Sequence, residues 1–174
     1  MINLFLEKLL DFYNLDYKSL QEENEQNLED LPKKEVFHEG KAIASYLKEA
    51  ILSNKKILIY GDYDCDGIMS TSILMLTLSS STYKPGYYIP SREFDGYGLT
   101  KENVDRFYKL GYEIIICADN GITLKEVIDY ANSLKMTIII LDHHKIGQSL
   151  PKAKYIMHPE IDNFGQYNIS AGEV

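Results

Sequence analysis

KKILIYGDYDCDG, residues 55–67, is the stretch on which the reading of this chain turns. Ile57 to Tyr60 form a short apolar run of the length and β-branched character of a buried strand, and Gly61 ends it. Asp62, Asp64 and Asp66 then alternate with Tyr63 and Cys65 before Gly67. Like charges at that density repel, so a chain needing only a turn has no reason to choose them. In an extended turn they can converge on a cation, and carboxylate oxygens suit Mg²⁺ and Mn²⁺. The plain alternatives are a solvated aspartate-rich turn or a Ca²⁺ loop. An EF-hand counted from Asp62 would carry Glu at its twelfth position and a helix in front. Ile73 stands there instead, and a strand precedes.

The surrounding chain supplies the context for a site. At 174 residues it is long enough to bury a real core. Residues 1–53 read as a helical extension with an acidic connector, and residues 54–174 as the α/β domain. Ile2, Phe5, Leu6, Leu9, Leu10 and Phe12 recur at helical spacing, the segment 17–32 is polar and acidic, and a second amphipathic helix covers 34–53. No apolar run approaches the ~20 residues that span a bilayer. Glu7, Lys8 and Asp11 interrupt the apolar start, which therefore is not a signal peptide. Two cysteines far apart fit a reducing cytoplasm better than a disulfide framework. The net charge of −8 weighs against a nucleic-acid partner only weakly, because five acids of the second part, Asp62, Asp64, Asp66, Asp119 and Asp142, belong on this reading to one cation site.

From Lys55 onward strands and helices alternate. After ILIY (57–60) come a helix over 67–78, a strand YYIP (87–90), a helix over 101–110 capped by Thr100 and stopped by Gly111, and a strand over 113–118. A helix over 123–134 and strands over 136–141 and 154–159 complete the series. Short, wholly apolar strands separated by helices predict a doubly wound, mostly parallel five-stranded sheet with helices on both faces. Ligands of such sheets bind at the carboxyl ends of the strands. GDYDCDG, DNG (119–121) and DHH (142–144) all fall at that edge, and their convergence carries more weight than any one of them.

Taken alone, Asp119-Asn120-Gly121 is a common turn. In Asp142-His143-His144 two adjacent rings are expected to point differently, one to a metal and one to its support or to substrate. His38 and His158 read as ordinary surface or loop residues. In SREFDGYGL (91–99) Arg92 offers a planar fork for a phosphate and Tyr97 a face for a base, whereas a glycine turn explains Gly96 and Gly98 but not Arg92. Cys65, among hard oxygen donors, reads as a small filler, and Cys117 as core.

GDYDCDG, SREFDGYGL, ADNG and DHH, in that order and spacing, resemble the DHH phosphoesterase superfamily, and within it the RecJ-type exonucleases that act 5′-to-3′ on single-stranded DNA. The resemblance covers roughly residues 35–174. It implies two divalent ions, Mn²⁺ or Mg²⁺, with Asp64, Asp66, Asp119 and His143 as direct ligands. Asp62, Asp142 and His144 would be further ligands or groups that orient them, with His144 and Asp142 closest to the chemistry. Arg92, Tyr97, Gly98 and Asn120 would meet the substrate. The implied activity is metal-dependent phosphodiester hydrolysis in DNA repair and recombination, with single-stranded DNA as partner, no membrane, and other repair proteins as further partners. The sequence departs from the family at Cys65, where Ala is usual, and at Ser170 and Glu173 in YNISAGEV, where Gly and an apolar residue are usual. The chain is expected to be the N-terminal catalytic part of such an enzyme, with a second domain beyond Val174. Other readings are a phosphoesterase of the same superfamily acting on short oligonucleotides or cyclic dinucleotides, a receiver-like module with an acidic Mg²⁺ pocket, and a fragment that binds metal without turnover.

Overall fold

A computed structural model describes residues 37–93, 96, 98–162 and 169–174; the helix expected over 2–13 and the polar connector over 17–32 lie outside the described residues. The elements are α1 (Gly40–Leu52), β1 (Ile57–Tyr60), α2 (Cys65–Leu78), β2 (Gly86–Tyr88), α3 (Lys101–Lys109), β3 (Ile114–Ala118), α4 (Lys125–Ser133), β4 (Thr137–Leu141) and β5 (Tyr155–Met157). The five strands form one sheet in the order β2-β1-β3-β4-β5. Every pairing is parallel. The expected doubly wound α/β sheet is therefore present.

Its central strands are buried on both sides, which is why they read as unbroken apolar runs. Successive side chains point to opposite faces. Ile57 and Ile59 of β1 join Ile114, Ile116 and Ile139 against Ile43, Leu47 and Ala50 of α1, with Leu74, Met75 and Leu78 of α2 packed on the same side. Leu58 and Tyr60 join Ile115, Cys117, Ile138 and Ile140 against Val104 and Phe107 of α3 and Ile128 and Ala131 of α4. A fully buried Ile or Leu side chain contributes roughly 1.5–3 kcal/mol, so two faces of this kind hold the sheet without help from disulfides. Both cysteines are free.

Local chemistry sets the helix ends. The Thr100 hydroxyl accepts the Asn103 N–H at 3.1 Å, as the sequence predicts. α2 begins two residues earlier than predicted because the Asp64 carboxylate caps it, accepting the Gly67 N–H at 3.0 Å. β2 is shorter and earlier than the predicted 87–90. Among the described residues no helix is long and apolar enough to cross a membrane.

The order β2-β1-β3 puts the switch point between β1 and β3, where consecutive connections leave on opposite faces and open a crevice at the strand ends. Gly67 makes the close packing at that crevice: a Cβ there would lie 2.6 Å from the N, Cα and O of Asp62. Gly67→Ala is therefore expected to displace the Asp62 loop and to cost about 1–3 kcal/mol in urea unfolding. A loss below about 0.5 kcal/mol would show that this contact relaxes without consequence.

Candidate metal centre

The loops after β1, β3 and β4 bring Asp62, Asp64, Asp66, Asp119, Asp142, His143 and His144 to the switch point. Asp119 is at the centre. It follows β3 in the left-handed backbone region, φ 64°, and only 1% of it is exposed. Neither of its carboxylate oxygens has a hydrogen-bond partner. His143 Nε2 lies 3.2 Å and His144 Nδ1 3.7 Å from the same oxygen, Asp119 Oδ1. Asp119 thus belongs to two groups able to hold a cation, one with Asp62 and Asp64 and the other with His143 and His144.

The electrostatics follow from this packing. Burial pushes the Asp119 carboxyl up to about 8, and the nearby charges of Asp66 and Asp64 push the same way. Asp62, also buried, is raised chiefly by desolvation, against the Tyr63 N–H that its Oδ1 accepts at 2.7 Å. For His144 desolvation disfavours the cation, but the hydrogen bond to Asp142 and the charges of Asp142, Asp119 and Asp62 outweigh it and raise the ring overall.

Asp142 does different work from Asp119. Its Oδ1 accepts the His143 N–H at 2.8 Å, the His144 N–H at 3.1 Å and His144 Nδ1–H at 2.8 Å. Its Oδ2 accepts the Ile122 N–H at 2.9 Å. Four donors occupy this carboxylate, so it orients the loop and the His144 ring and ties β4 to the turn after β3. His143 is oriented separately: Nδ1–H donates to the Ile169 carbonyl at 2.6 Å, which in the neutral ring leaves the lone pair on Nε2, the nitrogen that faces Asp119. The two rings are 4.8 Å apart and inclined at 70°: His143 Nε2 faces Asp119 while His144 Nδ1 is bonded to Asp142, with Asp119 farther off at 3.7 Å. Asp66 sits 3.5 Å from His143 Nε2 and accepts the Ala171 and Gly172 N–H groups at 2.7 and 3.1 Å. Asp64 is exposed at the mouth of the site while it caps α2.

The expected substrate residues are divided. Arg92 is exposed and lies over the Tyr63 ring, 5.8 Å from its centroid, so it is held beside the first aspartate loop. Tyr97 lies outside the described residues. Asn120 is fully buried, and its Nδ2 donates to the carbonyls of Tyr60 and Ala118, stitching the ends of β1 and β3. Gly98 is likewise scaffold. It is buried at φ 72°, where a side chain would be strained, and its carbonyl accepts the Tyr60 hydroxyl at 2.9 Å.

His158 is the residue that sequence reading undervalued. It is fully buried, and its Nδ1 accepts the Glu160 N–H at 3.2 Å, which leaves Nε2–H to donate to the His144 carbonyl at 2.7 Å. Its signal was its place just after β5, at the same sheet edge as the other motifs. His38, by contrast, is an exposed side chain bonded to Asp162 at 2.8 Å.

The sequence pattern of the DHH family, N-terminal domain, matches residues 56–174. The chain belongs to the DHH family. It is 38% identical over 120 residues to the single-stranded-DNA-specific exonuclease RecJ of Bacillus subtilis, a match covering 69% of this chain and 15% of that protein. To the exonuclease of the same name from Escherichia coli it is 36% identical over 116 residues, covering 66% of this chain and 20% of the other. Its fold superposes on a crystal structure of exonuclease RecJ bound to manganese with a TM-score of 0.72 at 28% identity, over 83% of this chain and 36% of that one. The chain thus spans about a fifth or less of the length of these two curated relatives.

The raised Asp119 carboxyl has a consequence in solution. Without metal, the folded chain keeps a proton on Asp119 to about pH 8, whereas the unfolded chain releases it near the ordinary 3.8. The folded state binds the extra proton, so stability falls as pH rises between those values. His144, raised in the folded state, loses its stabilising contribution in the same direction as it deprotonates. In EDTA the parent chain is therefore expected to melt lower at pH 8 than at pH 5, and Asp119→Asn to flatten the decline and melt a few degrees higher than the parent at pH 8. A parent curve flat across this range would mean that Asp119 ionises without penalty.

Proposed function

We propose that this chain carries the metal-binding half of a phosphodiesterase that degrades single-stranded DNA from its 5′ end, working in the cytoplasm in DNA repair and recombination as part of a longer protein. The observation that carries the proposal is Asp119: a desolvated carboxylate, both oxygens without hydrogen-bond partners, shared between an all-carboxylate group and a carboxylate–imidazole group. A dry carboxyl group whose anion no protein donor would compensate fits a bound cation, and a donor set of carboxylate oxygens with imidazole nitrogens fits Mn²⁺, and Mg²⁺ on the oxygen-rich side. Two groups meeting on one carboxylate support a reading of two ions, and Asp119 would be among the residues that hold each. Asp62 and Asp64 would complete one side and His143 and His144 the other, with Asp66 against His143.

When bound, such a pair of ions supplies an activated water and charge stabilisation at the scissile phosphate, the arrangement of two-metal phosphodiester hydrolysis. The chain's own residues position and orient. Asp142 fixes His144 and the loop that carries His143. The Ile169 carbonyl keeps the His143 Nε2 lone pair turned to the centre. Arg92, steadied on Tyr63, is free at its guanidinium to pair with a substrate phosphate two-pronged. That substrate is single-stranded DNA by analogy with the curated relatives, whose names state it.

Two measurements test the proposal. Calorimetry should show Mn²⁺ binding to the parent chain, lost by more than the 10–100-fold that outer support residues cost when Asp119 is replaced by Ala. A chimera in which residues 56–174 replace the matching part of the Bacillus subtilis exonuclease should release mononucleotides from labelled single-stranded DNA with Mn²⁺, and Asp64→Ala should abolish the release. Unchanged Mn²⁺ affinity in Asp119→Ala would remove the shared carboxylate from the centre. A folded but inactive chimera would remove the nuclease reading.

A further inference from the structure

The last described segment, residues 169–174, reaches two acidic-motif residues of the centre that come from different parts of the chain, His143 and Asp66. The Ile169 carbonyl accepts His143 Nδ1–H at 2.6 Å, and two and three residues later the Ala171 and Gly172 N–H groups bind the two oxygens of Asp66. One short backbone therefore bridges the loop after β4 and the loop after β1, which are 77 residues apart between Asp66 and His143. Ile169 and Ala171 are buried and seat the segment. The direction of the two N–H groups is set by something else. Glu173 turns back so that its Oε2 accepts the Ser170 N–H at 2.7 Å, while the Ser170 carbonyl accepts the N–H groups of Glu173 at 3.0 Å and Val174 at 3.3 Å. This is the hydrogen bond made by the glutamate arm of a capping box, and it holds residues 170–173 in a tight turn with the intervening amides directed at Asp66.

We propose that Glu173 is a positioning residue of the metal centre: by tying down the Ser170 amide it holds closed a backbone clamp that fixes Asp66 and His143 relative to one another. The proposal rests on the metal reading above and adds to it a residue outside the DHH motifs. Ser170 and Glu173 are the two ends of one hydrogen bond. A carboxylate accepting a backbone N–H is a charge-assisted bond, about twice as strong as a neutral one, so a single side chain is enough to bias so short a segment. The clamp acts on two groups that approach within 3.5 Å of each other, Asp66 Oδ2 and His143 Nε2, and small displacements there change ligand geometry directly.

The test compares the parent chain with Glu173→Ala and with Glu173→Gln, whose side-chain oxygen still accepts. In metal-free chain, amide exchange at Ala171 and Gly172 should accelerate at least about tenfold in Glu173→Ala. Mn²⁺ affinity by calorimetry should fall about tenfold, the scale of an outer support residue. Glu173→Gln should return both readings to within about threefold of the parent, which a mere loss of charge would not produce, whereas Glu173→Met, of similar bulk but with no acceptor, should behave as Glu173→Ala does. Unchanged amide exchange in Glu173→Ala overturns the clamp, whatever the metal does. Faster exchange with unchanged Mn²⁺ affinity overturns the positioning role and leaves the metal centre standing. A parent chain that binds no Mn²⁺ overturns the metal reading and the positioning role with it, and the metal-free exchange data separate that failure from a failure of the clamp.

Discussion

A carboxylate kept dry beside other carboxylates is the constraint around which this domain is arranged. Asp119 gains little from its neighbours as an anion: burial and the charges of Asp66 and Asp64 oppose ionisation and outweigh the His144 ring, which favours it, and no hydrogen-bond donor reaches its oxygens among the described residues. Its backbone is also in the left-handed region, which costs a non-glycine residue roughly 1–2 kcal/mol. A fold tolerates such a position only where the rest of the structure over-determines it. Here the β1–β3 pairing does so, continued past the strand ends by Asn120, whose amide spans the Tyr60 and Ala118 carbonyls. Strain, burial and missing donors at one residue are costs to stability, and the proposed ions offset them.

Asp142 makes the contrast plain, because the two acids are nearly equally buried and treated oppositely. Four N–H donors converge on Asp142 and none on Asp119. The first is a structural anion, fully satisfied, whose removal would leave three amides and one ring nitrogen without their acceptor. The second is held ready for something the chain does not itself supply. His158 and the 169–172 backbone extend the same logic outward: each satisfies a group on a candidate ligand residue, the His144 carbonyl, the His143 Nδ1–H or the Asp66 oxygens, that Asp119 does not touch. The donor network surrounds the centre and stops short of its middle.

Much of this was legible in the sequence because the apolar strands are short, β-branched and buried on both faces, a pattern that only a covered parallel sheet explains. The strand-end rule then gathered the three acidic motifs without knowledge of the topology. What was not legible depended on side-chain direction. Asn120 and Gly98 sit among polar residues in sequence, and nothing there shows that their hydrogen bonds run inward to Tyr60 and Ala118. Asp64 was read as a ligand only, although it also caps α2, because a cap is decided by where the helix starts and that boundary was placed two residues late. The contacts of His158 and Glu173 are hidden in the sequence for a related reason. Each acts through one hydrogen bond to a residue distant in sequence or to a local turn, and neither belongs to a periodic pattern.

Charge explains why the candidate centre and an acidic chain are compatible with a polyanionic substrate. Asp62, Asp64, Asp66 and Asp119 bring up to four negative charges to one crevice, and alone they would repel a phosphate as strongly as they repel one another. The protein meets part of that repulsion by keeping Asp119 protonated, which is what its raised carboxyl expresses. On the two-ion reading the same crevice reverses its character on loading: two divalent cations balance the four carboxylates, and Arg92 beside them tips the mouth of the site toward positive. Substrate attraction would then depend on metal occupancy rather than on a basic surface. The net charge of −8 describes the chain without ions, and on that reading the local field that a DNA strand would meet would be set by the ions in the crevice.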